Sequence, residues 1–321
     1  MGIHEIRFDP VLEEWVIISP SRQGRTFFPP PEFCPLCPTK PGKEETEIPA
    51  EDYEIVVFEN KFPSLSLRCE LTGDSAIYCK KPAKGVCEVI CYTPLHSLTL
   101  TDLPEEQITR LIEVWKDRYI ELGSLKEIKY VLIFENKGKE IGVTLTHPHG
   151  QIYAFSFIPP KPKRELNSSR KFFRKKGRCL FCWIIENELR EKKRVVVENE
   201  KFVGFIPFWA HWPYEVHIYP KAHLTSMKEL KDEDIKCLSF ILKELLLKYD
   251  RLFHFSMPYI MIIHQAPTDG KDYSYYHFHF EFYPPYRTKD KLKYLAGCES
   301  GGGVFINDTI PEEKAEELRN V

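Results

Sequence analysis

Two stretches, His147-Pro148-His149-Gly150-Gln151 and His277-Phe278-His279-Phe280-Glu281, decide how this chain is read. Working backwards from each gives the same landmarks in the same order. Before His147 come a strand-like run at 130–135, an amphipathic segment from Leu103, His96, a Val-Val-Phe-Glu-Asn run ending at Asn60, and Cys34-Pro-Leu-Cys37. Before His277 come a run at 259–263, an amphipathic segment from near Leu230, His223, a Val-Val-Val-Glu-Asn run ending at Asn199, and Cys179-Leu-Phe-Cys182. His96 precedes His147 by 51 positions, and His223 precedes His277 by 54. One such element says little. The whole series occurring twice marks an internal repeat.

Local patterns supply the fold class. Thr101-Asp102 followed by Glu105 and Glu106 is a helix start, with Pro104 tolerated there. Leu111, Ile112, Trp115, Tyr119 and Leu122 recur at three and four, as do Ile235, Leu238, Ile241, Leu242, Leu245 and Leu246, so each copy offers one helix face to a sheet. Strands are predicted at 15–19, 55–59, 86–92, 130–135, 151–157, 203–207, 215–219, 259–263 and 277–283. One helix per copy among so many strands predicts an α+β chain, a tandem repeat whose antiparallel sheet carries helices on one side. The halves are residues 1–160 and 179–321. Between them, 161–178 holds nine basic residues against one acid and reads as a solvated linker able to steer an anionic substrate.

At 321 residues the chain is about twice the usual domain length and needs no disulfides to build a core. Its 45 Lys and Arg nearly cancel 47 Asp and Glu, and a net charge of −2 argues against a nucleic-acid or anionic-membrane binder. No apolar run approaches the ~20 residues of a membrane helix, and residues 1–10 hold no apolar signal segment. A soluble cytoplasmic protein is expected.

Ten cysteines are too sparse for a secreted disulfide scaffold of this length. A C-x-x-C turn presents two thiolates about one metal ion apart, and two distant histidines complete a tetrahedral shell suited to zinc. The sets are Cys34, Cys37, His96 and His147 in the first half, and Cys179, Cys182, His223 and His277 in the second. Cys₂His₂ saturates zinc, so both sites read as structural. Cys69, Cys79, Cys87, Cys91, Cys237 and Cys298 read as small apolar core residues.

With His147 on metal, His149 lies two residues on, on the same side of an extended segment. A neutral imidazole attacks phosphorus without first losing a proton. Gly150 is expected to let a phosphate approach the backbone, and the Gln151 amide to donate to a phosphate oxygen. In the second half the counterparts are Phe280, which would fill the phosphate's space, and Glu281, which would repel it. That half is expected to be non-catalytic.

Phe134-Glu-Asn-Lys-Gly138 followed by His147-Pro-His-Gly-Gln151 closely resembles galactose-1-phosphate uridylyltransferases, the transferase branch of the histidine-triad superfamily. The resemblance runs from Arg7-Phe-Asp-Pro to the last helix. Hydrolases of the superfamily carry a third histidine where this chain has Gln151, which favours transferase. What the resemblance implies is a ping-pong transfer of UMP between UDP-glucose and galactose 1-phosphate, with His149 carrying the covalent uridylyl group. It also implies substrate contacts from Arg22, Arg25, Asn60, Lys61, Asn136, the loop Gly142, Val143 and Thr144, and a sugar segment with Lys293, Tyr294, Cys298 and Glu299. A homodimer with sites near the subunit boundary is typical of the family.

For the second metal, some bacterial members use a glutamate and three histidines, for which Glu165, His264, His277 and His279 are candidates, binding zinc or iron. The pair Cys179 and Cys182 favours the cysteine set. Two rival readings remain: an enzyme acting on ADP-sugars or dinucleoside polyphosphates, and a zinc-stabilised binding module without catalysis.

Overall fold

The computed structural model of the chain describes residues 4–24, 29, 33–71, 73 and 77–321. The first half contains β1 (Glu5–Asp9), β2 (Glu14–Ile18), β3 (Val56–Glu59), β4 (Lys80–Pro82), β5 (Gly85–Cys91), α1 (Glu105–Gly123), β6 (Tyr130–Lys137) and β7 (His149–Phe155). Two helices follow, α2 (Pro160–Lys176) and α3 (Leu180–Glu191). Next come β8 (Val195–Glu198), β9 (Phe202–Phe205), β10 (Val216–Pro220), α4 (Asp232–Phe253), β11 (Tyr259–His264) and β12 (His279–Tyr283). The chain ends with β13 (Tyr286–Thr288), β14 (Lys291–Leu292), α5 (Gly297–Gly302) and α6 (Pro311–Arg319).

Nine strands form one antiparallel sheet in the order β3-β5-β7-β6-β11-β12-β10-β9-β8. The first copy supplies the first four and the second copy the rest. They join along β6 and β11, where Lys137 faces Tyr259 and Ile133 faces Ile263. Alternation sends Ile90, Val131, Ile133, Ile152, Ala154, Val216, Ile218 and Ile263 to one face, into a single core with the apolar sides of α1 and α4. The predicted helix faces are the ones buried: Leu111, Ile112, Trp115, Tyr119 and Leu122 in α1, and Ile235 through Leu246 at the predicted spacing in α4.

The helices do not keep to one side. In the second half, Phe181, Ile184 and Ile185 of α3, with Leu166 of α2, cover Val203, Phe205 and Tyr219 on the opposite face. The stretch expected as a linker is therefore largely α2, whose buried residues Pro162, Leu166 and Ser169 make a stripe one residue wide per turn. Its start tolerates Pro160 at the first helical position, and Arg174, Lys175 and Lys176 complement the C-terminal dipole. Gly177, at φ 69°, ends it in the left-handed conformation. In the first half that second face carries smaller clusters, Ile6, Leu65, Cys87, Tyr130 and Phe155 in one and Leu36, Ile48, Val89 and Cys91 in another, and His149 and Gln151 of β7 stay half-buried.

Of the six cysteines expected in the core, Cys87 and Cys91 are buried, Cys69 and Cys237 are half-buried, and Cys79 and Cys298 are exposed. Among the described residues no helix is long and apolar enough to cross a membrane.

Candidate active site and metal centres

The two Cys/His sets assemble as the repeat predicts. In each, one ligand atom per residue lies within 4.8 Å of the others. His96 and His147 turn Nδ1 to within 3.5 Å of Cys37 Sγ, and His223 and His277 bring Nδ1 to 3.2 and 3.6 Å from Cys182 Sγ. The outward nitrogens repeat as well: His147 Nε2–H donates to the Thr93 carbonyl at 2.8 Å, and His277 Nε2–H to that of Pro220 at 3.0 Å. These bonds fix the tautomer that leaves Nδ1 free for a metal. Burial pushes His147 down to about 4, so it is a neutral donor at pH 7. Burial and the neighbouring Cys34 push the Cys37 thiol up to about 12, so a thiolate pair there requires a cation. Sulfur and imidazole donors in this number fit zinc. In the second half, Cys179 and Cys182 lie at the start of α3, where the dipole also favours thiolate.

His149 opens β7 and is half-buried. Its Nδ1–H donates to the His147 carbonyl at 2.7 Å, so the ring is held by the residue that reaches the metal centre and Nε2 keeps its lone pair. Burial lowers its pKa and keeps it neutral. Gln151 is aligned from behind. The Tyr153 hydroxyl donates to Gln151 Oε1 at 3.4 Å and accepts from Arg22 Nη1 at 3.0 Å, and Arg22 also donates to Ser64 Oγ at 2.9 Å. The Gln151 amide N–H groups are thus left for another acceptor.

A cavity of about 120 Å³ brings together Arg22, Asn60, Lys61, Asn136, Gly142, Val143, Thr144, His149 and Gln151. Gly142, at φ 84°, turns the loop in a conformation open to glycine. Asn60 has a turn role too, its Oδ1 accepting from Phe62 N at 2.9 Å as Asn199 Oδ1 does from Phe202 N at 2.8 Å. A second cavity, about 410 Å³, shares Asn136, Val143 and His149 and adds Lys137, Ser256 and Tyr286, so His149 stands between two spaces. Arg25 lies outside the described residues. Lys293, Tyr294, Cys298 and Glu299 line neither cavity; Lys293 is buried 3.3 Å from Glu299, and Tyr294 is 72% exposed. Sequence reasoning missed Tyr153, although its place two residues past Gln151 on one strand face was a usable signal.

Two expectations about the repeat are corrected. A Cβ on Gly150 would run into the Tyr92 hydroxyl on the α1 side, so the glycine makes room for packing and not for phosphate. Phe280 likewise points into the core, fully buried beside Trp115 with ring centroids 6.3 Å apart. The second half differs from the first in the helices that cover this sheet face. His279, the counterpart of His149, has 1% exposure and packs in a cluster with Phe181 and Tyr219, each ring centroid 5.0 Å away.

The alternative ligand set is corrected in one member. Glu165, His264 and His279 do converge, but His277 belongs to the cysteine centre and Glu281 completes the group.

A duplicated α+β unit on one antiparallel sheet, with half-buried His149 beside a polar cavity and its counterpart His279 buried beside another, defines the class of fold. The chain belongs to the galactose-1-phosphate uridylyltransferase family: residues 2–159 match "Galactose-1-phosphate uridyl transferase, N-terminal domain" and 165–321 the corresponding C-terminal domain. It is 42% identical to the galactose-1-phosphate uridylyltransferase of Thermotoga maritima over 98% of each chain. The Saccharomyces cerevisiae enzyme of that name is 34% identical, over 98% of this chain and 93% of the yeast one. Among solved structures, a uridylyltransferase superimposes with a TM-score of 0.88 at 38% identity, over 98% of this chain and 97% of that one. An ADP-glucose phosphorylase from Arabidopsis thaliana with bound ADP-glucose gives 0.74 at 27% identity, over 99% of both chains. The chain is an enzyme of the transferase class.

Proposed function

We propose that this enzyme moves UMP between UDP-glucose and galactose 1-phosphate through a uridylyl group carried on His149. The carrying observation is the hydrogen bond from His149 Nδ1–H to the His147 carbonyl, which leaves Nε2 as the nucleophile beside Gln151. Nε2 attacks the α-phosphorus of UDP-glucose, the N–P bond forms, and the bond to the bridging oxygen breaks. Glucose 1-phosphate leaves as an oxyanion needing no proton. The imidazole gains positive charge without releasing Nδ1–H, and the His147 carbonyl stabilises it. Galactose 1-phosphate then attacks the same phosphorus and the N–P bond breaks, giving UDP-galactose. Gln151, the Thr144 loop and the Arg22–Tyr153 pair stabilise charge on the phosphoryl oxygens.

Zinc at Cys34, Cys37, His96 and His147, and at Cys179, Cys182, His223 and His277, would supply structural cross-links, the first fixing the strand that carries His149. Residues 1–160 are the working half, and 179–321 the supporting half joined to it through 161–178. We read the enzyme as a cytoplasmic homodimer. Because Lys293, Tyr294, Cys298 and Glu299 line no His149 cavity in their own chain, they serve the site of a second copy.

Intact-mass analysis after incubation with UDP-glucose tests the reading. One added UMP is expected, removed by galactose 1-phosphate and absent in His149→Gly; ADP-glucose is expected to add nothing. A protein unmodified by UDP-glucose would refute it.

A further inference from the structure

The group formed by Glu165, His264, His279 and Glu281 lies on the sheet face covered by α2 and α3, where the first half has its working histidine. The family resemblance implies a metal at a glutamate and histidine set in this half. This donor set does not fit one. Lys161, in the first turn of α2, places its ammonium 2.6 Å from Glu281 Oε2 and also donates to the Tyr283 hydroxyl. A cation on Glu281 would have to share that buried carboxylate with an ammonium already seated on it, although the Lys161 side chain itself is 47% exposed. The other donors are engaged as well. Both oxygens of Glu165 lie 2.9 Å from His264 Nδ1, and the Tyr276 hydroxyl donates to Oε2 at 2.6 Å. His264 Nε2 and His279 Nε2 each face a Glu281 oxygen at 3.5 Å, with His217 Nε2 at 3.6 Å. Every carboxylate already has nitrogen partners, and the network is closed within the protein.

We infer that the Lys161 ammonium takes the place of a metal ion in this cluster, tying α2 to β12 by an ion pair and leaving the second half's metal to the cysteine centre alone. The residues on the two sides lie 120 positions apart, so the tie also fastens the segment joining the halves. The inference rests on reading Cys179, Cys182, His223 and His277 as a metal site, and the test keeps the two claims apart.

Elemental analysis of the full chain, dialysed against zinc or iron, should give two ions per chain. Glu165→Gln should keep both, whereas Cys179→Ser with Cys182→Ser should keep one. Three ions in the unaltered chain, or loss of one in Glu165→Gln, would overturn the inference. Thermal unfolding of Lys161→Met, Glu281→Gln and the double variant decides the pair independently. Each single change should lower the melting temperature, and the double should fall no further than the worse single. A double variant that loses the sum of the singles would also overturn it. If the cysteine variant kept both ions, the cysteine centre alone would fall, and the thermal cycle would still judge Lys161.

Discussion

The Tyr92 hydroxyl fills the space that a Cβ on Gly150 would need. Side chains alternate along β7, so His149 and Gln151 face the cavity while the residue between them rests on the α1 side. Gly150→Ala should therefore push β7 off its support, at a cost of roughly 1–3 kcal/mol from overpacking. Both melting temperature and turnover should fall, and adding Tyr92→Phe should return part of each. Turnover lost with stability untouched would show that the packing account is wrong.

Gln151→Ala should lower kcat about 10²–10³-fold, the usual loss on removing one donor to developing charge. Tyr153→Phe should cost about tenfold, because it orients Gln151 and Arg22 without reaching the substrate. In both, KM should change less than kcat; steady-state kinetics with UDP-glucose reads the split.

Glu135 predicts a pH dependence of stability. It is buried close to the hydroxyls of Tyr92 and Tyr259, and burial, opposed by Lys137 and those hydroxyls, pushes the carboxyl up to about 7. The fold holds that proton more tightly than the unfolded chain does. Its contribution is complete below the ordinary carboxylate range and is lost as pH rises toward 7, by roughly 3 kcal/mol in total. Glu135→Gln keeps the shape and cannot ionise. In urea melts, its stability relative to the unaltered protein should improve from about pH 5 to about pH 8. A constant difference would refute the shift.

Tyr53 donates to the Thr93 carbonyl at 2.8 Å and lies 2.9 Å from His147 Nε2, beside the first metal centre. Tyr53→Phe should weaken zinc binding there about 10–100-fold, the usual range for a partner of a metal ligand. Competition with a colorimetric chelator measures it. Stripping that ion should lower turnover along with melting temperature, since His147 then no longer anchors His149.

The sequence carried α1 and α4 plainly because their buried residues are large and recur every turn. It hid α2, whose inward face is only Pro162, Leu166 and Ser169 among many cations. The cavity around His149 was readable because its groups sit in short, distinctive loops. The same two-residue alternation that aligns His149 with Gln151 sends Gly150 and Phe280 to the helix side, where they meet Tyr92 and Trp115. Lys161 and Glu281 meet only through the packing of α2 on β12, which no local pattern encodes.

The seam between β6 and β11 makes the molecule a two-subunit assembly written as one polypeptide. Severing the chain beyond α2 would give fragments each ending in a bare strand, β6 in one and β11 in the other. Such edges seek partners. The fragments should find each other when co-produced and restore turnover by complementation, whereas either made alone should aggregate.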